Sequence, residues 1–193
     1  PGVPVVVAPQ QEEALQVIEE IARERSAPLI QVGVDVVYTP LESSLEGQTF
    51  LVEEPSGEPR ESPREICISL LGPFQVDNAA VAYTVLKTAR EIGMHIPDSA
   101  VRDGMKAALW PARFEGVRKS PPVVFDSAHN PAAIQKLMDA VQLYFPNPGF
   151  RLVFGISEDK QLDGMIREIA PFTSSVITTR AEHPRAMDAE DLL

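Results

Sequence analysis

The chain is poor in the residues that make disulfides, metal centres and nucleic-acid surfaces. Its single cysteine, Cys67, excludes an internal disulfide, and with only three scattered histidines it offers no zinc-ligand spacing. Cys67 lies in the alternating run Glu65–Leu70, which reads as a strand and makes it a core thiol. Basic residues number 17 against 28 acidic, a net charge of −11, and no Lys/Arg cluster exceeds two. That balance argues against non-specific nucleic-acid binding and against docking to an anionic membrane. No apolar run approaches the roughly 20 residues a membrane span needs, and no secretory leader opens the sequence, so the expected compartment is the reducing cytoplasm. Also absent are G-x-x-x-x-G-K-[ST], G-x-G-x-x-G, a nucleophile elbow and a carboxylate pair at glycosidase spacing. What the chain does have is 44% hydrophobic residues in 193, enough to core one large domain or two small ones.

Strand and helix patterns alternate from the start. Val3–Ala8 reads as a buried strand. A helix follows from Gln11 to about Arg25, with Ala14, Leu15, Ile18, Ile21 and Ala22 on one face, and then a strand over Pro28–Gly33. This βαβ unit predicts parallel pairing. From Asp35 to Leu71 the pattern shifts to short alternating runs, Val36–Tyr38, Thr49–Val52 and Ile66–Ile68, as in an antiparallel patch. The charged, Pro-rich span Glu53–Arg64 reads as a hairpin loop. A helix over Gln75–Ile92 places Ala82, Val85, Leu86, Ala89 and Ile92 for burial and stops at Gly93. A shorter helix over Ser99–Leu109 takes Asp98 or Ser99 as its cap, and Pro111 ends it, making Trp110–Arg113 the candidate boundary. Beyond it, Arg113–Arg118 and Val123–Phe125 pair across the Lys119–Pro122 turn. Helix 131–145, strand Arg151–Phe154, helix Leu162–Ala170 and strand Val176–Thr179 then resume the βα alternation. The start at Pro1, just before a buried strand, and the stop inside a helical turn at Asp191–Leu193 suggest part of a longer protein.

The chemistry concentrates in Val123-Val124-Phe125-Asp126-Ser127-Ala128-His129-Asn130-Pro131. An apolar strand ends in a carboxylate, a small turn and an imidazole. A helix then starts, with Asn130 suited to capping and Pro131 to the first helical position. Ile134, Leu137, Met138, Val141 and Phe145 mark that helix's apolar face. Asp126 and His129 therefore lie at the carboxyl end of a strand beside a helix N-terminus, where ligands of open α/β sheets bind and anions are favoured. Taken alone, the same residues also describe a helix-capping turn with one partly exposed histidine. Further single polar residues stand at turns: Gln75 and Asn78, Arg113, Asp159 and Lys160, His183 and Arg185.

Together these segments resemble one family, folylpolyglutamate synthase/dihydrofolate synthase of the Mur ligase superfamily. Leu71-Gly72-Pro73-Phe74-Gln75-Val76-Asp77-Asn78-Ala79 resembles its Gly-x-His-Gln-x-x-Asn-Ala segment, and Trp110-Pro111-Ala112-Arg113-Phe114-Glu115 its Trp-Pro-Gly-Arg-x-Glu. Asp126–Pro131 matches Asp-x-Ala-His-Asn-Pro. Val153-Phe154-Gly155 with Asp159-Lys160 matches its Phe-Gly…Asp-Lys turn, and Val32-Gly33-x-Asp35 and Pro184-Arg185-Ala186 also fit. The motifs span the chain in the family's order. Phe74 stands in place of the family's His, Ala112 in place of Gly and Gln161 in place of a frequent Asp.

The resemblance implies an α/β architecture: the second half of a P-loop-type ATPase core over 1–112 and a truncated Rossmann-like C-terminal ligase domain over 113–193. It implies an ATP-dependent amide ligase that adds L-glutamate to the γ-carboxylate of folates through an acyl phosphate. This portion alone is expected to be inactive, because the phosphate loop lies upstream. Asn78 would bind adenine, Arg113 the phosphates, and Asp126 the ribose or the nucleotide's position. His129 would be catalytic, facing the γ-phosphate and the incoming glutamate. Lys160 and Arg185 would recognise substrate carboxylates. ATP and Mg2+ are the implied cofactors, with metal ligands in the N-terminal part and none here. The implied partners are folate or dihydropteroate, L-glutamate and ATP, with no nucleic acid, no membrane and a monomeric protein. A Mur-type peptidoglycan amino-acid ligase and a non-catalytic α/β binding module remain alternatives.

Overall fold

The computed structural model describes residues 1–55, 63–146 and 149–192. The chain forms two compact units, Pro1–Trp110 and Pro111–Leu193.

In the first unit, β1 (Val5–Val7), α1 (Glu12–Glu24) and β2 (Leu29–Gln31) form a βαβ turn, and β1 runs parallel to β2 with Val5 opposite Leu29. The apolar stripe of α1 is narrower than its spacing predicts. Ala22 is buried and Leu15 and Ile18 are half-buried, while Ala14 and Ile21 face solvent.

β3 (Val37–Ser44), β4 (Gly47–Glu53) and β5 (Arg64–Ile68) make an antiparallel sheet in the order β3-β4-β5. β3 continues past the Val36–Tyr38 run, through Pro40, with a register shift between Pro40 and Glu42. An edge strand tolerates proline because its outward N–H has no ladder partner to lose. Of the hairpin loop expected over Glu53–Arg64, residues 56–62 lie outside the described residues. Period-2 alternation on β4 and β5 turns Gln48, Phe50, Val52, Ile66 and Ile68 inward. Cys67, opposite Thr49, belongs to the other face and is half-buried, so it is not the core thiol that the sequence suggests.

α2 (Pro73–Glu91) lies over this core through Val76, Ala79, Ala80 and Tyr83, and α3 (Asp98–Ala107) adds Val101 and Met105. The face expected for α2 is displaced. Val85 and Ile92 are exposed, whereas Thr84 and Thr88 are buried. Each threonine hydroxyl donates to the carbonyl four residues back, Thr84 to Ala80 and Thr88 to Thr84, both at 2.8 Å. This internal satisfaction removes most of the cost of burying a hydroxyl, and a pattern of apolar letters misses it. Gly93, at φ +101°, ends α2 as expected: its N–H reaches Arg90 and that of Met94 reaches Ala89, a Schellman closure. α3 differs from expectation at its start. Pro97 is the cap residue, and Asp98, already inside the helix, pairs with Arg90 at 2.5 Å and Arg64 at 3.1 Å instead of capping.

In the second unit, β6 (Glu115–Lys119) and β7 (Pro122–Phe125) form an antiparallel hairpin. α4 (Pro131–Tyr144), β8 (Phe150–Phe154), α5 (Leu162–Ile169) and β9 (Thr173–Thr178) follow, with β8 parallel to β9. The core joins Ile134 and Met138 of α4 to Phe154, Met165 and Ile169. α4 and α5 come together closely because Gly164 lacks a side chain: a Cβ there would stand 2.7 Å from Pro131 Cγ. A short 3-10 turn, Glu190–Leu192, ends the described chain.

Candidate functional site

The turn between β7 and α4 is built around Asp126. Its Oδ1 accepts the N–H of Ala128 at 2.7 Å and its Oδ2 that of Phe114 at 2.8 Å. The N–H of Ser127 in turn donates to the Ala112 carbonyl at 2.9 Å. One carboxylate thus fastens two segments: Ala112–Phe114, and the turn leading to α4. Each oxygen keeps a second acceptor direction for a ligand.

Arg113 lies in the middle of this arrangement. Ala112 and Phe114 on either side adopt left-handed backbone, φ +56° and +49°. The Phe114 ring is 1% exposed and packs 5.4 Å from the Tyr144 ring and 6.5 Å from that of Phe145. Glu115, the residue with which Arg113 could form a surface ion pair, extends Oε2 to the N–H of Ala112 at 2.8 Å.

His129 is exposed, and its Nδ1 lies 3.0 Å from the Ser127 carbonyl. A carbonyl only accepts, so Nδ1 carries the proton in this contact and Nε2 is the ring nitrogen not engaged by it. Asn130 caps α4 as its type predicts, Oδ1 accepting from Ala133 N–H at 2.8 Å, with Pro131 in the first turn. The positive end of the α4 dipole therefore lies directly after His129.

Lys160 and Arg185 are brought together on a second, neighbouring loop pair. An antiparallel bridge joins Ser157 to Ala186, flanked by Glu158 N–H to Arg185 O and Met187 N–H to Ile156 O, both 2.9 Å. The Lys160 ammonium donates to Asp159 at 2.8 Å. That hydrogen bond holds the Asp159 carboxyl below the usual carboxylate range, and the charge of Arg185 adds to the effect. Lys160 is therefore already partnered by a carboxylate of its own loop.

Asn78 belongs to the first unit, on an exposed turn of α2, where its Nδ2 donates to the buried Gln75 at 3.1 Å. The start of α2 is fixed by a residue that the motifs do not single out. Gln48, 2% exposed, donates from Nε2 to the carbonyls of Leu70 at 2.8 Å and Gly72 at 3.0 Å. The alternation Gln48-x-Phe50-x-Val52 was the signal available: it puts a polar side chain on the inner face, where it must find partners. Glu115 gave no comparable signal beyond its place in a motif.

Among the described residues no group of three His, Cys, Asp or Glu side chains is placed to hold a metal ion. No helix among them is long and apolar enough to cross a membrane. A cleft of about 550 Å³ opens beside Glu42, Glu46, Cys67 and Lys106, and it contains none of the candidate residues.

This arrangement is that of a known class. Residues 112–193 match the family described as Mur ligase, glutamate ligase domain. Over 99% of its length the chain is 33% identical to the dihydrofolate synthase/folylpolyglutamate synthase of Bacillus subtilis, of which it spans 44%. The folylpolyglutamate synthase structure from Thermotoga maritima superposes with a TM-score of 0.80 at 31% identity, covering 98% of this chain and 43% of that one. The Mycobacterium tuberculosis folylpolyglutamate synthase complexed with ADP and AMPPCP also gives 0.80, at 27% identity, covering 97% of this chain and 41% of that one. The chain belongs to the folylpolyglutamate synthase/dihydrofolate synthase family, and it spans less than half the length of these relatives.

Proposed function

We propose that this chain serves an ATP-dependent ligase that adds L-glutamate to the γ-carboxylate of a folate, with residues 1–112 completing a central ATP-binding domain and 113–193 forming the glutamate ligase domain. The observation that carries this reading is the Asp126–Pro131 turn. Through Asp126 it ties the backbone beside Arg113 to the turn that carries His129 and leads into the N-terminus of α4. In this reading the folate γ-carboxylate takes the terminal phosphoryl group of ATP and ADP leaves. The amine of glutamate then attacks the acyl carbon, and phosphate departs as the amide forms.

Arg113 grips phosphate oxygens through its planar fork, and Asn78 contacts the adenine. Asp126, besides holding the turn, offers its remaining lone pairs to the ribose. His129 directs Nε2 at the charge that develops between phosphate and incoming amine. Lys160 and Arg185 receive substrate carboxylates, so Lys160 must exchange its contact with Asp159 for one with substrate. Mg2+ accompanies the nucleotide and supplies charge neutralisation to it. The protein acts as a cytoplasmic monomer, a setting that suits its single unpaired cysteine.

The identity to the curated folate enzyme and the Asp-x-Ala-His-Asn-Pro wording favour the folate branch over a Mur-type peptidoglycan ligase. A coupled assay of the complete ligase tests the reading. ADP release should require both a folate and L-glutamate, and residues 1–193 alone, which contain no phosphate loop, should release none. ADP release that instead depends on a UDP-sugar-linked acceptor would transfer the chain to the peptidoglycan branch.

A further inference from the structure

We propose that Glu115 is a positioning residue for Arg113, presetting the turn that presents the guanidinium before any nucleotide arrives; the inference rests on the reading of Arg113 as a phosphate ligand.

The residues on both sides of Arg113 are left-handed, Ala112 at φ +56° and Phe114 at φ +49°. L side chains disfavour this region, and two such residues flanking one position do not persist without outside support. Each has that support from a carboxylate. Asp126 Oδ2 takes the Phe114 N–H at 2.8 Å, and Glu115 Oε2 takes the Ala112 N–H at 2.8 Å. Phe114 is also anchored by its buried ring, and Ala112 by its carbonyl's bond to Ser127 N–H.

The Glu115 bond differs from the others in being local and exposed. It reaches back only three residues, from the first position of β6, and its side chain enters no core. Such a contact contributes little to global stability. Its effect is on shape: it favours the one backbone conformation in which Ala112 and Phe114 both point their N–H groups at carboxylates, with Arg113 held between them. Residue 112 is alanine where glycine would take the same φ without steric cost, so this chain depends on the Glu115 bond more than a glycine-bearing turn would.

The test is made in the complete ligase proposed above, with Arg113→Ala as reference. Two readouts are followed: hydrogen exchange of the Ala112 amide, and KM for ATP separately from kcat. Glu115→Ala should speed exchange at Ala112 about tenfold and lower kcat/KM for ATP about tenfold, with the thermal midpoint nearly unchanged. Glu115→Gln, whose amide oxygen accepts the same bond, should retain most of both. Adding Ala112→Gly to Glu115→Ala should recover part of the lost kcat/KM. The inference is overturned if Arg113→Ala impairs ATP use while Glu115→Ala does not, or if Glu115→Gln is as damaged as Glu115→Ala. If Arg113→Ala itself leaves ATP use unchanged, the phosphate reading of Arg113 falls, and the positioning role falls with it.

Discussion

The phenol of Tyr38, on β3, donates to the Asp77 carboxylate, on α2, at 2.8 Å. It ties the sheet to the turn of helix that carries Asn78, one residue further on. Burial first, then the hydrogen bond and charge of Asp77, push the Tyr38 hydroxyl from 10.0 up to about 12. All three causes disfavour the phenolate. The tie is therefore intact below pH 10 and is lost as pH rises through about 12. Tyr38 should ionise near pH 12 in a titration followed by phenolate absorbance. Tyr38→Phe should delete that step, and Asp77→Asn should move it toward lower pH. An unchanged curve in Asp77→Asn would mean that the carboxylate plays no part.

Asp126 is expected to matter for folding even without a nucleotide. Its two oxygens hold Phe114 and Ala128, residues well separated along the chain. Asp126→Ala leaves both N–H groups without their charged acceptor and should cost about 2–3 kcal/mol in the second unit. Asp126→Asn keeps one good acceptor and should cost about half of that. Chemical denaturation without ligand measures it. A neutral Asp126→Ala would leave Asp126 with a ligand-facing role alone.

Asn130 offers a cleaner case, since its contribution is confined to one bond. Its Oδ1 accepts from Ala133 N–H at 2.8 Å, and α4 has no acidic residue in its first turn to share the task. Asn130→Ala should cost about 1 kcal/mol and Asn130→Ser only a few tenths. Thermal unfolding separates the two. Because His129 precedes the cap, Asn130→Ala should also fray the start of α4, visible as faster exchange at Ala133.

Much of this was legible from the residues, and the misreadings share a cause. The βα alternation, the antiparallel patch, the β6–β7 hairpin, the Asn130 cap and the Gly93 stop all follow from chemistry local to a few positions. Periodicity failed where burial is decided by partners elsewhere. Thr84 and Thr88 are buried because their hydroxyls are satisfied within α2, which left Val85 and Ile92 outside. Cys67 reads as a core residue from its strand-like run, but alternation with Ile66 and Ile68 puts it on the opposite face. Asp98 has the chemistry of a cap, yet two guanidiniums from Arg64 and Arg90 claim it. In the candidate site, residue types marked Asp126, His129 and Arg113, while the backbone clamps depend on φ values and, for the Asp126–Phe114 bond, on a contact distant in the chain, which no spacing encodes.

Two glycines inside helices should respond to the same substitution with opposite sign. In α5, a Cβ on Gly164 would lie 2.7 Å from Cγ and 3.4 Å from Cβ of Pro131. The proline ring cannot swing aside, because it forms the first turn of α4, so the helices themselves must separate. Gly164→Ala should therefore lose about 1–2 kcal/mol, the overpacking penalty less the better helix propensity of alanine. In α3, a Cβ on Gly104 meets nothing within 4 Å, and no left-handed φ stands in its way. There the substitution only restricts the unfolded chain and should gain about 0.5–1 kcal/mol. The two glycines lie in different compact units, so amide exchange read separately in α3 and in α4–α5 is the suitable measurement. Slower exchange for Gly104→Ala and faster for Gly164→Ala is the expected pair. Because Pro131 adjoins Asn130 and His129, Gly164→Ala should also disturb the histidine's ring resonances, and Gly104→Ala should not. A stabilising Gly164→Ala would show that α4 and α5 need no glycine to approach, and that the start of α4 is held by its cap alone.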